Sequence, residues 1–136
     1  MSTSHAGIIR EIFDRAWNRA DFDGLDRFFP ADFAFHYRRA TRMMNLEDLE
    51  RTVAAWRRAF PDLHFSVQDL VEQGDLVAAR LTHAGTHKGP IREFGATGRR
   101  FEIDAMYFFR FEDDRLVEVW EVDDESAMWE QLRGSG

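Results

Sequence analysis

The sequence predicts an α+β domain in which a meander of strands curves around the helices that precede it, forming a cone. Three observations predict this. Apolar residues recur at helical spacing through most of the chain up to Phe60. Beyond Pro61 the period falls to two, in four stretches separated by Gly- and Asp-rich turns. With 136 residues, 44% of them hydrophobic, the chain is long enough to bury one core.

Each element has a local reason. Ile8, Ile9, Ile12, Phe13, Ala16 and Trp17 give an amphipathic helix over about 5–20. Asp21 is placed to cap a short second helix carrying Leu25, Phe28 and Phe29, which Pro30 ends. Phe33, Phe35 and Tyr37 then alternate with Asp32, Ala34 and His36 as in a strand. Asn45 is an N-cap, with Glu47 and Asp48 favourable in the first turn of a helix striped by Leu46, Leu49, Val53, Trp56 and Phe60. Four strands follow, over 63–72, 76–85, 99–111 and 115–122, and a short helix closes the chain over 127–132. No repeat or linker interrupts the pattern, so one domain is expected over 1–133, with 134–136 as a flexible tail.

Composition narrows function. A net charge of -7 disfavours a nucleic-acid partner, which needs a basic face. The absence of Cys removes disulfides, thiolate catalysis and Cys-based metal sites. Neither a secretory leader nor an apolar run long enough for a membrane span is present, so a cytoplasmic protein is expected. The 14% aromatic content, with 13 Phe and 4 Trp, suits an apolar cavity at the mouth of the cone and a small hydrophobic or aromatic ligand.

Several motifs carry a resemblance. Phe60-Pro61-Asp62, Gly74-Asp75, Arg80, Thr82, Gly85-Thr86-His87-Lys88-Gly89, Thr97-Gly98-Arg99 and a closing Val117-Glu118-x-Trp120-x-x-x-Asp124 occur in this order. Together they resemble the SnoaL-like polyketide cyclases, also called ester cyclases, over roughly residues 8 to 132. The resemblance implies the nuclear transport factor two-like fold, a cone-shaped α+β barrel of curved mixed sheet wrapped around N-terminal helices. It also implies ring closure of a polyketide ester by intramolecular aldol condensation, with no metal or organic cofactor. A related isomerase or epoxide-opening reaction on a terpenoid or steroid-like substrate, and non-catalytic ligand binding, are the alternatives, since a fold does not fix a function. The segment Pro90-Ile91-Arg92-Glu93-Phe94 departs from the family's Gly- and Pro-containing loop near the pocket.

Aldol closure needs a base for a proton flanked by carbonyls, donors to hold the enolate and a dry pocket. Strand parity selects candidates. A three-residue loop at Glu112-Asp113-Asp114, the favoured form, pairs Arg110 with Leu116 and Phe108 with Glu118. Arg110, Phe108, Met106 and Asp104 then share the pocket face with Glu118, Trp120 and Asp124; a two-residue loop reverses the relation. The opposite face, with Ile103, Ala105, Tyr107, Phe109, Val117 and Val119, is expected to pack on a second subunit in a homodimer or larger assembly.

Asp124 matches the family's acidic position four residues after the Trp, where the resemblance implies the acid/base; its other reading is an N-cap for the closing helix. A bulge in the strand exchanges it with Asp123. Arg110 is the expected donor to substrate oxygen, and His87 a donor or base partner. Trp120, Glu118, Phe108, Met106, Asp104, His36, Trp56 and Trp17 are the expected substrate-binding set. His83 shares the parity of His87, but no metal is expected, because neither an HExxH nor a Cys pattern supplies further ligands.

Overall fold

A computed structural model describes residues 4–92 and 94–134. Helix α1 (His5–Ile12) starts where the Ser4 hydroxyl accepts the Gly7 N–H at 3.0 Å, and it buries Ile8, Ile9 and Ile12. It then widens into a π-helical turn, Phe13–Trp17, which keeps Phe13 and Ala16 in the core. Asn18 fixes the end of this segment by exchanging two hydrogen bonds with the Phe65 backbone, at 2.9 and 2.7 Å. The short second helix is a single 3₁₀ turn, Leu25–Phe28, entered through left-handed Gly24 at φ 75°. Asp21 does not cap it; its carboxylate accepts from Arg15 at 3.2 Å and from the Asp23 N–H at 3.1 Å.

Strand β1 (Phe33–Tyr37) turns back directly into β2 (Ala40–Met44), a strand the sequence pattern did not suggest. The turn is Arg38-Arg39, both left-handed at φ 55° and 66°, so it lacks the Asn or Gly that marks such hairpins. Helix α2 (Leu46–Ala59) has the expected Asn45 cap, completed by a reciprocal bond from the Asn45 N–H to Asp48 at 3.0 Å. Strands β3 (His64–Gln73), β4 (Leu76–Thr86), β5 (Arg100–Glu112) and β6 (Arg115–Asp123) follow, then helix α3 (Glu125–Arg133).

The sheet order is β2-β1-β6-β5-β4-β3, with β1 parallel to β6 and every other pair antiparallel. It is therefore a mixed sheet, as expected, but it remains open: β2 and β3 are its two edges, so the barrel does not close. The N-terminal helical segment lies across the inner face, where the Phe13 ring meets those of Phe65, Tyr107 and Phe109 at 5.9, 5.3 and 6.0 Å.

The motifs that carry the resemblance lock α2 onto β4. Asp62 accepts from the Thr86 N–H at 2.7 Å and from its hydroxyl at 2.8 Å. Gly85 lets Phe60 approach, since a Cβ there lies 3.0 Å from the Phe60 Cβ; one at Gly89 strikes the Arg58 carbonyl. Phe60 is fully buried against Trp56, His87 and Phe101, and its truncation to Ala costs about 3–5 kcal/mol.

The β5–β6 turn corrects the expected register. Glu112 pairs with Arg115 across a two-residue turn, Asp113-Asp114, with Asp113 left-handed at φ 53°. Val117 is then inserted as a bulge, so Phe111 faces Leu116 while Arg110 faces Glu118 and Phe108 faces Trp120. The bulge restores the parity the shorter turn had reversed. Arg110 and Glu118 do share a face, but it is the outer one. The inner face carries Ile103, Ala105, Tyr107, Phe109 and Phe111, all buried. The chain's own helices cover this more apolar face, which leaves none of it for a second subunit.

Candidate active site

Beneath the helices the sheet encloses a cavity of about 270 Å³, walled by Phe13, Trp17, Phe29, Phe35, Trp56 and Phe101 among others. Polar groups enter this apolar space at one side. Glu121 and Asp123 come from the end of β6, where Glu121 is the cross-strand neighbour of Tyr107 and, on the other side, of Tyr37. His83 comes from β4, and Glu125 from the first turn of α3.

These side chains form one connected chain of contacts. The Tyr107 hydroxyl lies 2.9 Å from His83 Nε2, and Glu121 stands opposite Tyr107 on β6 with its carboxyl group close to that of Asp123. The Tyr37 hydroxyl lies 2.8 Å from Asp123 Oδ1 and 2.6 Å from Glu125 Oε2. Glu125 accepts further from Arg92 at 2.7 Å, Arg38 at 3.0 Å and the Trp129 indole at 3.0 Å.

Burial sets the protonation states. It lowers the His83 imidazole to about 3, so that ring, stacked on Phe65 at 3.8 Å, is neutral. Burial raises Tyr107 far above its ordinary range, and Tyr37 likewise. Burial of the Glu121 carboxyl group, reinforced by its hydrogen bond to Asp123 and by the charge there, lifts it well above the carboxylate range. Burial and the neighbouring carboxyl group therefore favour the protonated form of Glu121. Glu125 is the opposite case: against the effect of its burial, the bonds from Tyr37, Trp129 and Arg92 hold it at about 2. Tyr37 has one hydroxyl hydrogen and two carboxylates facing it, so Asp123 keeps unsatisfied acceptor capacity.

The arrangement thus offers a proton acceptor beside a proton donor in a water-poor pocket. His83, Glu121 and Asp123 also bring one potential ligand atom each within 4.8 Å of one another. A proton on Glu121 and a divalent cation are alternative ways to reconcile two carboxyl groups this close. The cation would have to compete with the Tyr107 hydroxyl for His83 Nε2.

Most residues selected by sequence parity lie elsewhere. Asp124 does not line this cavity; its side chain accepts the Ala127 N–H at 3.3 Å and caps α3. The bulge at Val117 leaves Asp124 on the outer side and turns Asp123 inward. Arg110 and Glu118 form an outer-face pair at 3.0 Å, extended by His36 at 2.6 Å from Glu118. The His36 ring stacks on Trp120 at 5.1 Å. Met106 and Phe108 are 59% and 53% exposed on that same outer face, and Asp104 lines a polar groove there with Asp124. His87 is fully buried outside the cavity wall, stacked on Phe60 at 5.2 Å, with Nδ1 3.1 Å from the Thr97 hydroxyl. Its Nε2 has no hydrogen-bond partner among the described residues. Trp17 and Trp56 line the cavity.

Sequence reasoning passed over Glu121, Tyr107, Tyr37 and Glu125. The signal was present: two acids, Glu121 and Asp123, stand on the parity of Val119, on a strand whose neighbour buries every residue of the matching face.

A family model for SnoaL-like polyketide cyclases matches residues 7–132. Among solved structures, the chain is similar to IdmH, a candidate polyketide cyclase from Streptomyces antibioticus, at 28% identity and TM-score 0.82, covering 97% of this chain and 100% of that one. It is similar to a candidate polyketide cyclase from Acidithiobacillus ferrooxidans at 25% identity and TM-score 0.82, covering 98% of each chain. It is also similar to AclR, a candidate hydroxylase from Streptomyces galilaeus, at 26% identity and TM-score 0.80, covering 95% of this chain and 80% of that one. No curated protein matches the chain.

Proposed function

Because this chain belongs to the SnoaL-like polyketide cyclase family, we propose that it closes a ring on a small hydrophobic ester by an intramolecular aldol step, with Asp123 as base and Glu121 as acid. The observation that supports this reading is the close Glu121–Asp123 carboxyl pair lining an aromatic cavity, where burial favours the protonated form of Glu121. The Asp123 carboxylate removes a proton from a carbon flanked by two carbonyls. The enolate carbon attacks a second carbonyl of the same molecule, and Glu121 protonates the alkoxide that forms. One proton leaves the substrate and one returns, so the product is an isomer. The pair ends with its proton on Asp123, and transfer back to Glu121 resets it without any cofactor. Tyr107, bonded to His83, stands beside Glu121, and the Tyr37 hydroxyl holds Asp123.

Asp124, favoured by the sequence pattern, keeps the capping role in this reading. The test uses methyl β-keto esters of aryl rings bearing an ortho acyl group as cyclisation probes, in which the carbon between two carbonyls reaches the acyl carbonyl in a five-membered ring. Asp123→Asn lowers ring closure about 10²–10⁴-fold with the fold retained by circular dichroism, whereas Asp124→Asn, which still caps, closes the ring at the wild-type rate. Undiminished closure by Asp123→Asn overturns the assignment.

No helix among the described residues is long and apolar enough to cross a membrane, and we assign the chain to the cytoplasm. We also assign the outer-face residues Met106, Phe108 and Val122, the last 73% exposed, to contact with a second copy. A monomer by light scattering at micromolar concentration contradicts that assignment.

A further inference from the structure

The substrate's other end is addressed by the mouth of the cavity. Edge strand β2 pairs with β1 so that Arg42 stands opposite Phe35, on the inward side with Tyr37 and Met44. Thr41 and Met43 take the outer side, where Thr41 meets His36 at 2.8 Å. Arg42 has no ion-pair partner among the described residues. Asp48 is close enough to feel its charge, but that carboxylate is held by the Asn45 N–H at 3.0 Å and by Arg51. Arg92 also lines the cavity, and it shares the single carboxylate of Glu125 with Arg38. Two guanidinium groups thus share one carboxylate beside a third, Arg42, in a protein whose net charge is -7.

The other polar groups of the cavity include two acids, Glu121 and Asp123, which line it beside Tyr107 and His83 with no guanidinium paired to them among the described residues. An anionic group is repelled there and attracted at the mouth, where a guanidinium binds a carboxylate in bidentate fashion. The cavity of about 270 Å³ falls just below the roughly 300–1,000 Å³ of pockets for drug-sized ligands.

We infer that the substrate is a one- or two-ring-sized hydrophobic molecule with a free carboxylate held at the mouth by Arg42, its neutral carbonyl end reaching Asp123. This rests on the assignment of the cavity as the active site. It departs from a fully esterified substrate: any ester lies at the reacting end, and the free acid at the mouth.

Isothermal titration with 2-naphthoate, methyl 2-naphthoate and pyrene-1-carboxylate tests it without turnover. Naphthoate binds about tenfold more tightly than its methyl ester at low salt, and added salt narrows the gap. Arg42→Gln removes the preference and leaves the ester's affinity unchanged, Arg42→Lys retains part of it, and Asp123→Asn, which stops the chemistry, retains it fully. The four-ring acid binds more weakly than naphthoate. An ester bound as tightly as the acid, or a preference that survives Arg42→Gln, overturns the anionic assignment. Pyrene-1-carboxylate bound as tightly as naphthoate overturns the size limit. Failure of both naphthalene probes to bind overturns the cavity assignment as well, whereas binding with no loss of turnover in Asp123→Asn overturns only the catalytic reading.

Discussion

Glu118 and Glu121 stand three residues apart on one strand, and the structure gives them opposite chemistry. Glu118 lies on the outer face of β6, and against the effect of its partial burial the bonds from His36 and Arg110 hold its carboxyl below the ordinary range. Glu121 lies on the inner face with no cation paired to it among the described residues, and burial together with Asp123 drives it the other way. Residue type does not distinguish them; the face does. A carboxylate with two cationic or polar donors is an ion-pair partner, and one buried against a second carboxylate is a proton store.

The comparison can be broken from either side. The largest expected effect is on chemistry: Glu121→Gln, like Asp123→Asn, lowers ring closure about 10²–10⁴-fold, while Glu118→Gln stays within about twofold. Equal losses at Glu118 and Glu121 erase the distinction. Next comes stability at the edge of the site. Glu125, folded at about 2 against an ordinary 4.5, stabilises the fold above 4.5, and its contribution disappears as pH falls toward 2. Glu125→Gln therefore loses on the order of 2 kcal/mol at pH 7, and the gap to wild type closes between those pH values in denaturant titrations. A gap that stays constant with pH contradicts the ion-pair account. Asp124→Ala loses about 1 kcal/mol, the worth of a cap, with ring closure retained. The smallest effect is Glu118→Gln on stability, about 0–1 kcal/mol, because its partners remain partly solvated.

Much of the fold was legible because it rests on local signals: the Asn45 cap, the apolar stripes and the Gly-marked turns. Strand β2 was not, because its left-handed Arg38-Arg39 turn carries no turn residue. The Asp124 cap was legible as one of two readings. The site was misread by one face. The expected parity holds, because the bulge at Val117 offsets the shorter turn, but the face taken for the pocket is the outer one. The better guide was apolar content. Ile103, Ala105, Tyr107 and Phe109 belong to the chain's own core before any partner's, and the acids sharing their face are the ones that burial perturbs. The motif residues Phe60, Thr86, His87 and Thr97 were legible as a pattern, but they build the junction of α2 with β4 and the loop after it.

The protonation state of Glu121 tests this account most directly, and it needs no substrate. In protein labelled with ¹³C at the glutamate carboxyl carbons, Glu121→Gln and Glu118→Gln identify the two signals. At pH 7 Glu121 shows the shift of a neutral carboxylic acid, and its pKa falls once Asp123→Asn removes the neighbouring carboxylate, while Glu118 is ionised. Glu121 found ionised at pH 7, with the same shift as Glu118, contradicts it.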